Sequence, residues 1–191
     1  ENFAVQWNRA ARAIVTNHVR KTGDRARLFA LINLAGADAL ITAWDSKTFY
    51  NIWRPVTAIQ EGENDGNPLT AGDPAWQSLI NNPNYPDYTS GANNISAAML
   101  RTMALFFNRD RLDFEVTSNA ANVAQRTRTY RKFSQAAQEV VDARVLLGIH
   151  FRFADTAARK QGEQVAEWVS DHFLLPLVPD HHSDKNKHDE D

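Results

Sequence analysis

Residues 24–40 read DRARLFALINLAGADAL, a stretch in which apolar residues recur every three or four positions. On an α-helix this spacing collects one buried face, which consists of Leu28, Leu31, Ile32, Ala35, Ala39 and Leu40. Asp24 is a residue type that caps helix N-termini. We therefore predict one long helix over residues 25–53. We expect Pro55 to end or bend it, because proline lacks a backbone donor and restricts the preceding residue.

The same period predicts the rest of the fold. It indicates further helices over residues 3–21, 91–107, 134–147 and 152–175, the third of these capped by Ser134. Two short alternating segments predict at most a β-hairpin near residues 114–130. Residues 60–84 are rich in Gly, Pro, Asn and Asp and indicate a long loop, with a short helix starting at Asp73-Pro74. The predicted fold class is all-α, a helical bundle.

Length and composition fit one globular unit. We predict a single helical domain over residues 1–179 and a disordered polar tail over residues 180–191, which holds five acidic and two basic residues. The net charge of -2 gives no reason to expect nucleic-acid binding. No apolar run reaches the roughly 20 residues of a membrane span. The chain has no cysteine and starts at Glu1, so we expect a soluble, processed or trimmed protein, with secretion left open.

The segment from Lys47 to Pro55 carries two cations among aromatic residues. Lys47 and Arg54 are seven residues apart, so a continuous helix would carry both on one face. Two such cations suit a polyanion, and a guanidinium can contact it with two hydrogen bonds. The alternative interpretation is a solvated basic face on a surface helix.

The segment from Tyr85 to Asn94 contains a Ser90-Gly91 pair at the predicted start of a helix. A hydroxyl and free backbone amides at the positive end of a helix dipole form an anion site. An ordinary N-cap is the alternative interpretation.

Arg144 and His150 lie six residues apart in a strongly apolar stretch. A straight helix would place them about 240° apart around its axis. Gly148 could break the helix and return His150 to the side of Arg144. The alternative interpretation is a histidine with a purely structural role.

Taken in order, these three segments resemble the signature of the vanadium-dependent haloperoxidases and the type 2 phosphatidic acid phosphatases. The shared pattern is Lys-x6-Arg-Pro, then Ser-Gly, then Arg-x5-His. The sequence GIHFRFAD at residues 148–155 is similar to the bacterial and plant branch beyond the motif residues. The resemblance runs from about Trp44 to Trp168.

This resemblance implies a helical bundle that closes around vanadate or phosphate. Lys47, Arg54 and Arg144 would neutralise the oxygens of the anion. Ser90 and the backbone amide of Gly91 would donate hydrogen bonds to them.

The resemblance also implies the chemistry of the site. His150 would bind vanadium in a haloperoxidase, or attack phosphorus and form a phosphohistidine in a phosphatase. Asp155 would orient its imidazole. Lys47 and Arg144 would support the reaction by charge. The partners implied are small anions, with hydrogen peroxide and a halide or with a phosphoester.

One departure from the family pattern bears on activity. The usual Ser-Gly-His is Ser90-Gly91-Ala92 here, and the missing histidine is the general acid-base. Such a group contributes roughly 10²- to 10⁴-fold in rate. Two functions therefore stay open. One is an enzyme that oxidises halide or hydrolyses phosphomonoesters. The other is a non-catalytic member that binds phosphate or another ligand, or serves in storage or interaction.

Only 46 residues precede Lys47, where many members of the family carry several more helices. We expect either the C-terminal part of a larger protein or a bundle completed by a second copy.

Overall fold

The structure is a computed structural model that describes residues 2–120 and 123–175. Its helices and strands are α1 (Phe3–His18), α2 (Thr22–Tyr50), α3 (Pro55–Gln60), α4 (Gly91–Phe106), β1 (Arg111–Thr117), β2 (Thr127–Lys132), α5 (Phe133–Leu146) and α6 (Arg152–His172). A 3₁₀ turn, Gly62–Asn64, follows α3. The prediction of an all-α bundle with one short hairpin is confirmed. The predicted tail, residues 180–191, lies outside the described residues.

Helix α4 is the centre of the bundle, and α1, α2, α5 and α6 pack around it. Helix α4 is buried on nearly every side, because most of its side chains are small or apolar and can pack against the other helices. Gly162 on α6 lies directly against it: a Cβ added there would fall 2.3 Å from the Asn94 carbonyl oxygen. The two helices therefore touch backbone to backbone. The Ser90 amide also donates to the Ala154 carbonyl at 3.4 Å, which holds the start of α6 beside the start of α4.

Helix α2 ends three residues earlier than predicted. Asn51 takes a left-handed conformation, with φ of 45°, and stops the helix. Pro55 does not end α2. It occupies the first turn of α3, where its missing N–H costs nothing. At the other end, Lys21 is the N-cap, and Asp24 lies in the first turn.

The stretch Thr22–Gln60 has an apolar window of mean hydropathy 1.4, long and apolar enough to cross a membrane by length and composition. The central helix of a soluble bundle passes the same test. Here α2 buries one face that includes Leu28 and Ile32, and it exposes Ile41 and Trp44 on the other. The absence of a membrane span stays a prediction.

The main apolar core lies between α1, α4, α5 and the hairpin. Strand β1 alternates exposed and buried side chains, as expected when one sheet face packs on a core. Phe114 pairs with Tyr130 across the hairpin and stacks on Phe133 at 5.2 Å. Trp7 of α1 donates from its indole nitrogen to Ser96 at 2.8 Å. The hairpin thus closes one end of the bundle.

Two further local predictions were wrong. Ser134 does not cap α5, which begins one residue earlier. Instead Asp110 accepts from both the backbone and the hydroxyl of Ser134, at 2.8 and 2.6 Å. The Asp73-Pro74 segment forms a turn and no helix. Asp73 still accepts from the Ala75 backbone as an N-cap would, at 3.0 Å.

Candidate functional site

Buried polar side chains gather at the end of the bundle opposite the hairpin. They come from the end of α2, the start of α3, the loop before α4, the first turn of α4, the turn between α5 and α6, and the first turn of α6. All of them are at least nine-tenths buried, and they are Lys47, Arg54, Asp87, Ser90, Asn93, His150 and Asp155. Charged groups are almost never so buried without partners. The partners of each group therefore indicate what the site is built to hold.

Lys47 lies in the last turn of α2, and its ammonium donates to two backbone carbonyls. The Nζ atom is 2.7 Å from the Pro86 oxygen and 2.9 Å from the Asp87 oxygen. It also lies 5.2 Å from the centre of the Tyr85 ring. An ammonium has three donors, so one remains. Burial, followed by repulsion from Arg54, lowers the pKa of Lys47 to about 8.

Arg54 precedes Pro55 and is the N-cap of α3, so it is not on the helix that carries Lys47. The prediction that both cations share one helix face was wrong, because Asn51 ends α2 between them. The guanidinium donates to the Tyr85 carbonyl from Nε and to the Ile149 carbonyl from Nη1, each at 2.7 Å. Its Nη2 is buried without a hydrogen-bond partner among the described residues.

Arg144 lies on the last turns of α5, 5.9 Å from the centre of the Phe3 ring. Its Nε atom is buried and has no hydrogen-bond partner in the described part of the chain. Burial lowers the pKa of Arg144, although the carboxylates of Asp155 and Asp87 act against it. The side chain keeps its charge at neutral pH, because guanidinium pKa values lie far above 7.

The chain reverses after α5, which brings His150 close enough to Arg144 for the two to interact electrostatically. Gly148 has φ of 75°, and the Ile149 amide bonds back to the Arg144 carbonyl at 3.4 Å. A side chain at Gly148 would be strained by that φ and would also meet the Trp76 ring at 2.9 Å.

Asp87 holds the imidazole of His150. Its Oδ1 lies 2.5 Å from His150 Nδ1, and its Oδ2 accepts from the Phe151 amide at 3.4 Å. Burial lowers the pKa of His150 to about 4. The charges of Arg54 and Arg144 lower it further, and the hydrogen bond and negative charge of Asp87, which raise it, are smaller than these effects together. The neutral ring donates from Nδ1 to the carboxylate, which leaves the Nε2 lone pair free.

The expectation that Asp155 orients His150 was therefore wrong. The Asp155 Oδ1 atom accepts from Asn93 Nδ2 at 2.6 Å, and the same amide nitrogen lies 3.3 Å from Ser90 Oγ. The other carboxylate oxygen, Oδ2, has no hydrogen-bond partner among the described residues. Burial raises the pKa of Asp155 to about 7. Asp155, on α6, thus contacts side chains at the start of α4 and not the imidazole of His150.

A cavity of about 210 Å³ joins these groups. Its walls include Lys47, Gly91, Ala92, Arg144 and His150. Arg54 and Ser90 do not line it but stand behind it: Arg54 bonds to the Ile149 carbonyl next to His150, and Ser90 is the N-cap residue before Gly91. The cavity therefore has a neutral imidazole, two cations and the positive end of α4 in or around its walls.

Three residues of this site were not predicted: Asp87, Asn93 and Tyr85. The signal for Asp87 was a lone carboxylate between Pro86 and Tyr88, in a segment already singled out for Ser90. Its pairing with His150 spans 63 positions of sequence, so spacing alone could not find it.

Comparison with known proteins gives one matching family. Residues 27–176 match the model of the second helical-bundle domain of the VCPO (vanadium chloroperoxidase) family. The chain is similar to the vanadium chloroperoxidase of Curvularia inaequalis, with 27% identity over 76% of this chain and 30% of the relative.

Solved structures have the same fold. A bacterial vanadium-dependent iodoperoxidase superposes with a TM-score of 0.76 and 26% identity, over 89% of this chain and 39% of that one. A bacterial vanadium-dependent chloroperoxidase superposes with a TM-score of 0.69 and 21% identity, over 89% and 41%. The chain thus spans between 30% and 41% of the length of these relatives.

Proposed function

The chain belongs to the vanadium chloroperoxidase family, and on that premise we propose that its cavity binds one tetrahedral oxyanion, vanadate or phosphate. Cationic side chains and donors from three segments would surround the anion, and one imidazole nitrogen would face its central atom. These residues are Lys47, Arg54, Ser90, Gly91, Arg144 and His150.

One observation carries the proposal: two buried guanidinium N–H groups have no partner. They are Nη2 of Arg54 and Nε of Arg144, in the part of the chain that the structure describes. Leaving a buried donor unpaired costs about 1–3 kcal/mol, and more for a charged group. Lys47, Arg54 and Arg144 also repel one another, which contributes to the lowered pKa of Lys47. An oxyanion between them would satisfy the donors and offset the repulsion, whereas a neutral ligand would leave the repulsion in place.

The donor set fits vanadate as an oxyanion. Among the described residues no cluster of three His, Cys, Asp or Glu could hold a bare metal cation. A single neutral imidazole with a free Nε2, surrounded by cations, instead suits a metal that brings its own oxygens. Bound vanadate would supply a Lewis acid that activates hydrogen peroxide toward a halide. Asp87 would keep the His150 ring in the tautomer and orientation that this ligand requires.

The same residues suit a phosphoester. The free Nε2 of His150 could attack phosphorus, forming an N–P bond as the ester P–O bond breaks. The alcohol that leaves must then gain a proton. Position 92, where the family carries a histidine, lines the cavity here as alanine, and alanine cannot supply that proton.

We therefore propose that anion binding is retained and that turnover is weak. The alternative, a non-catalytic member of the family that binds phosphate or another ligand, is favoured by the same alanine. Bromination of monochlorodimedone with added vanadate and hydrolysis of p-nitrophenyl phosphate distinguish the two. Turnover in either assay that Ala92→His accelerates supports the enzyme. No turnover in either, with the anion bound, supports the non-catalytic member.

Anion binding itself is tested by calorimetric titration with vanadate and with phosphate. We expect one anion per chain, and a roughly hundredfold loss of affinity in Arg144→Met, because truncating one partner of a buried charge pair costs 2–5 kcal/mol. Arg101→Met is the matched control, since Arg101 pairs with Glu167 on the protein surface. No binding to the folded protein at millimolar anion, or an equal loss in both variants, would contradict the proposal.

A further inference from the structure

We infer that Asp155, in its protonated form, directs the Ser90 hydroxyl toward the bound oxyanion and so controls anion affinity. The inference rests on the proposed function, since it needs an anion in the cavity. It makes Asp155 a positioning residue that acts through Ser90, and not a partner of His150.

The geometry places three polar side chains in one buried group at the start of α4. Asn93 Nδ2 donates to Asp155 Oδ1 at 2.6 Å and lies 3.3 Å from Ser90 Oγ. All three side chains are at most 1% exposed. The Ser90 hydroxyl is the first of the groups that favour the charged form of Asp155, and Asn93 is the second. The Ser90 oxygen accepts no capping bond from the backbone of α4, so the described residues leave one of its acceptor positions open beside the Asn93 amide.

Asp155 Oδ2 has no hydrogen-bond partner within the described part of the chain, so it is open to a bond with Ser90 in either of two arrangements. A serine oxygen accepts two hydrogen bonds and donates one. When Asp155 is protonated on Oδ2, that proton can bond to Ser90 Oγ beside the Asn93 amide, so that both acceptor positions of Ser90 are occupied and its hydrogen turns to the anion. When Asp155 is ionised, the Ser90 hydrogen turns to Oδ2, so the anion loses a donor and faces a further negative charge. No proton moves to the anion in either arrangement.

Charged groups on every neighbouring element act on Asp155. Arg144 favours its charged form and Asp87 its neutral form. Lys47 and Arg54 also interact with it electrostatically. Burial exceeds these effects and raises the pKa of Asp155 to about 7. Both arrangements would therefore be populated near neutral pH.

Infrared spectroscopy of the anion-free protein tests the protonation of Asp155 without any turnover. Subtracting the Asp155→Asn spectrum isolates the carbonyl band of the protonated acid. We expect this band to disappear with a midpoint near pH 7, against the ordinary value of 3.8. Adding sulfate should raise the midpoint, because a ligand that prefers the protonated form stabilises it. A midpoint near 4, or one that sulfate does not move, would overturn the inference.

Sulfate affinity across pH tests the link to Ser90. Sulfate is tetrahedral and keeps its charge between about pH 5 and about pH 9, whereas phosphate and vanadate titrate there. We expect wild-type affinity to fall at least tenfold more between about pH 6 and about pH 8.5 than the affinity of Asp155→Asn. The reason is that a hydrogen bond to a charged group is worth roughly tenfold or more. In the Asp155→Asn variant the new side-chain amide can donate to Ser90 at every pH. The charge of Asp155 raises the pKa of Lys47, so its removal would make Lys47 lose its charge at lower pH and would work against the predicted difference.

Ser90→Ala should reduce this difference to the part that the Asp155 charge causes directly. The pH profiles of Ser90→Ala and of the double variant Ser90→Ala/Asp155→Asn should therefore differ much less than those of the wild type and Asp155→Asn. Asp171→Asn, which removes an exposed carboxylate from the same helix, should follow the wild type. Circular dichroism confirms that each variant is folded. If sulfate binds and Asp155→Asn keeps the wild-type pH profile, the inference is wrong while the proposed function stands. If no tetrahedral anion binds to any variant at any pH, the proposed function fails and the inference fails with it.

Discussion

The two ends of this bundle are equally buried and differently filled. At the hairpin end, Phe133 is 1% exposed and stacks on Phe107 and Phe114. At the other end, Lys47 is 2% exposed and His150 is 3% exposed. The first end consists of apolar contacts that all favour the folded state. The second contains three mutually repelling cations and, among the residues that the structure describes, two buried guanidinium nitrogens without a partner, which favour unfolding.

The difference indicates what each end is for. We therefore expect the apolar end to supply most of the stability of the bundle. The repulsion between the cations at the charged end lowers that stability. A bound anion would explain the charged end, because it would neutralise the cations and accept hydrogen bonds from their donors. Such a ligand would stabilise the folded state. The following predictions test this division, from the largest expected effect to the smallest.

Phe133→Ala should lower the free energy of unfolding by about 3–5 kcal/mol, because it leaves a cavity among stacked rings. Anion affinity of the folded variant should stay at the wild-type value. Leu146→Ala on the same helix is the control, since that side chain is 76% exposed and should change stability by under about 0.5 kcal/mol. Urea denaturation measures both. A loss of anion affinity in folded Phe133→Ala would contradict the claim that the apolar end does not contribute to anion binding.

The free energy of unfolding of Asp155→Asn, relative to that of the wild type, should increase as pH rises from about 4 to about 7. The folded pKa of Asp155 is raised from 3.8 to about 7, so the folded wild type binds more protons in this window and loses stability as pH rises. The full difference is at most about 4 kcal/mol, at about 1.4 kcal/mol per pKa unit.

Urea denaturation of both proteins at several pH values measures that difference. His150, whose folded pKa is lowered to about 4, makes the opposite contribution: its stability is lost as pH falls from about 6.5 toward 4. It acts in both proteins and cancels in the difference. A difference that stays constant with pH would show that burial does not perturb Asp155.

Phosphate or vanadate should raise the melting temperature of the wild type. A ligand that binds only the native state adds about 2.7 kcal/mol at a hundredfold excess over Kd. Arg144→Met should show little of this shift. It should itself be no less stable without anion, because burying a charge costs stability and the Arg144 Nε has no hydrogen bond to lose among the described residues. Strong destabilisation of anion-free Arg144→Met would indicate that the cation serves the fold.

Ala92→His should raise turnover at least tenfold in whichever assay responds, bromination or aryl phosphate hydrolysis. Position 92 lines the cavity, and general acid-base help contributes roughly 10²- to 10⁴-fold. Measurement of kcat/KM checks this, with His150→Ala as the inactive control. Wild-type activity already equal to that of Ala92→His would show that another group transfers the proton.

Sequence reasoning predicted the helices well, because each buried face repeats with the helical period. It failed where the conformation of a single residue determines where a helix ends. Asn51 takes a left-handed conformation that nothing in the α2 pattern indicates, so Lys47 and Arg54 were placed on one helix. The two cations still flank one site, because backbone carbonyls of the loop at residues 85–87 hold both of them.

The same loop explains the error at Asp155. The partner of His150 depends on which carboxylate the loop before α4 brings to the imidazole, and only the folded chain determines that. Gly148, in contrast, was predictable, since a histidine six residues from an arginine returns to it only if the helix breaks between them.

A crystal structure of the protein soaked with vanadate tests the central claim most directly. We predict one tetrahedral or bipyramidal anion in the cavity between α2, α4 and the α5–α6 turn, within hydrogen-bonding distance of Arg54 Nη2 and Arg144 Nε, and with the His150 Nε2 atom facing its vanadium. An anion bound elsewhere, or an empty cavity with both guanidinium groups bonded to other protein atoms, would contradict the account.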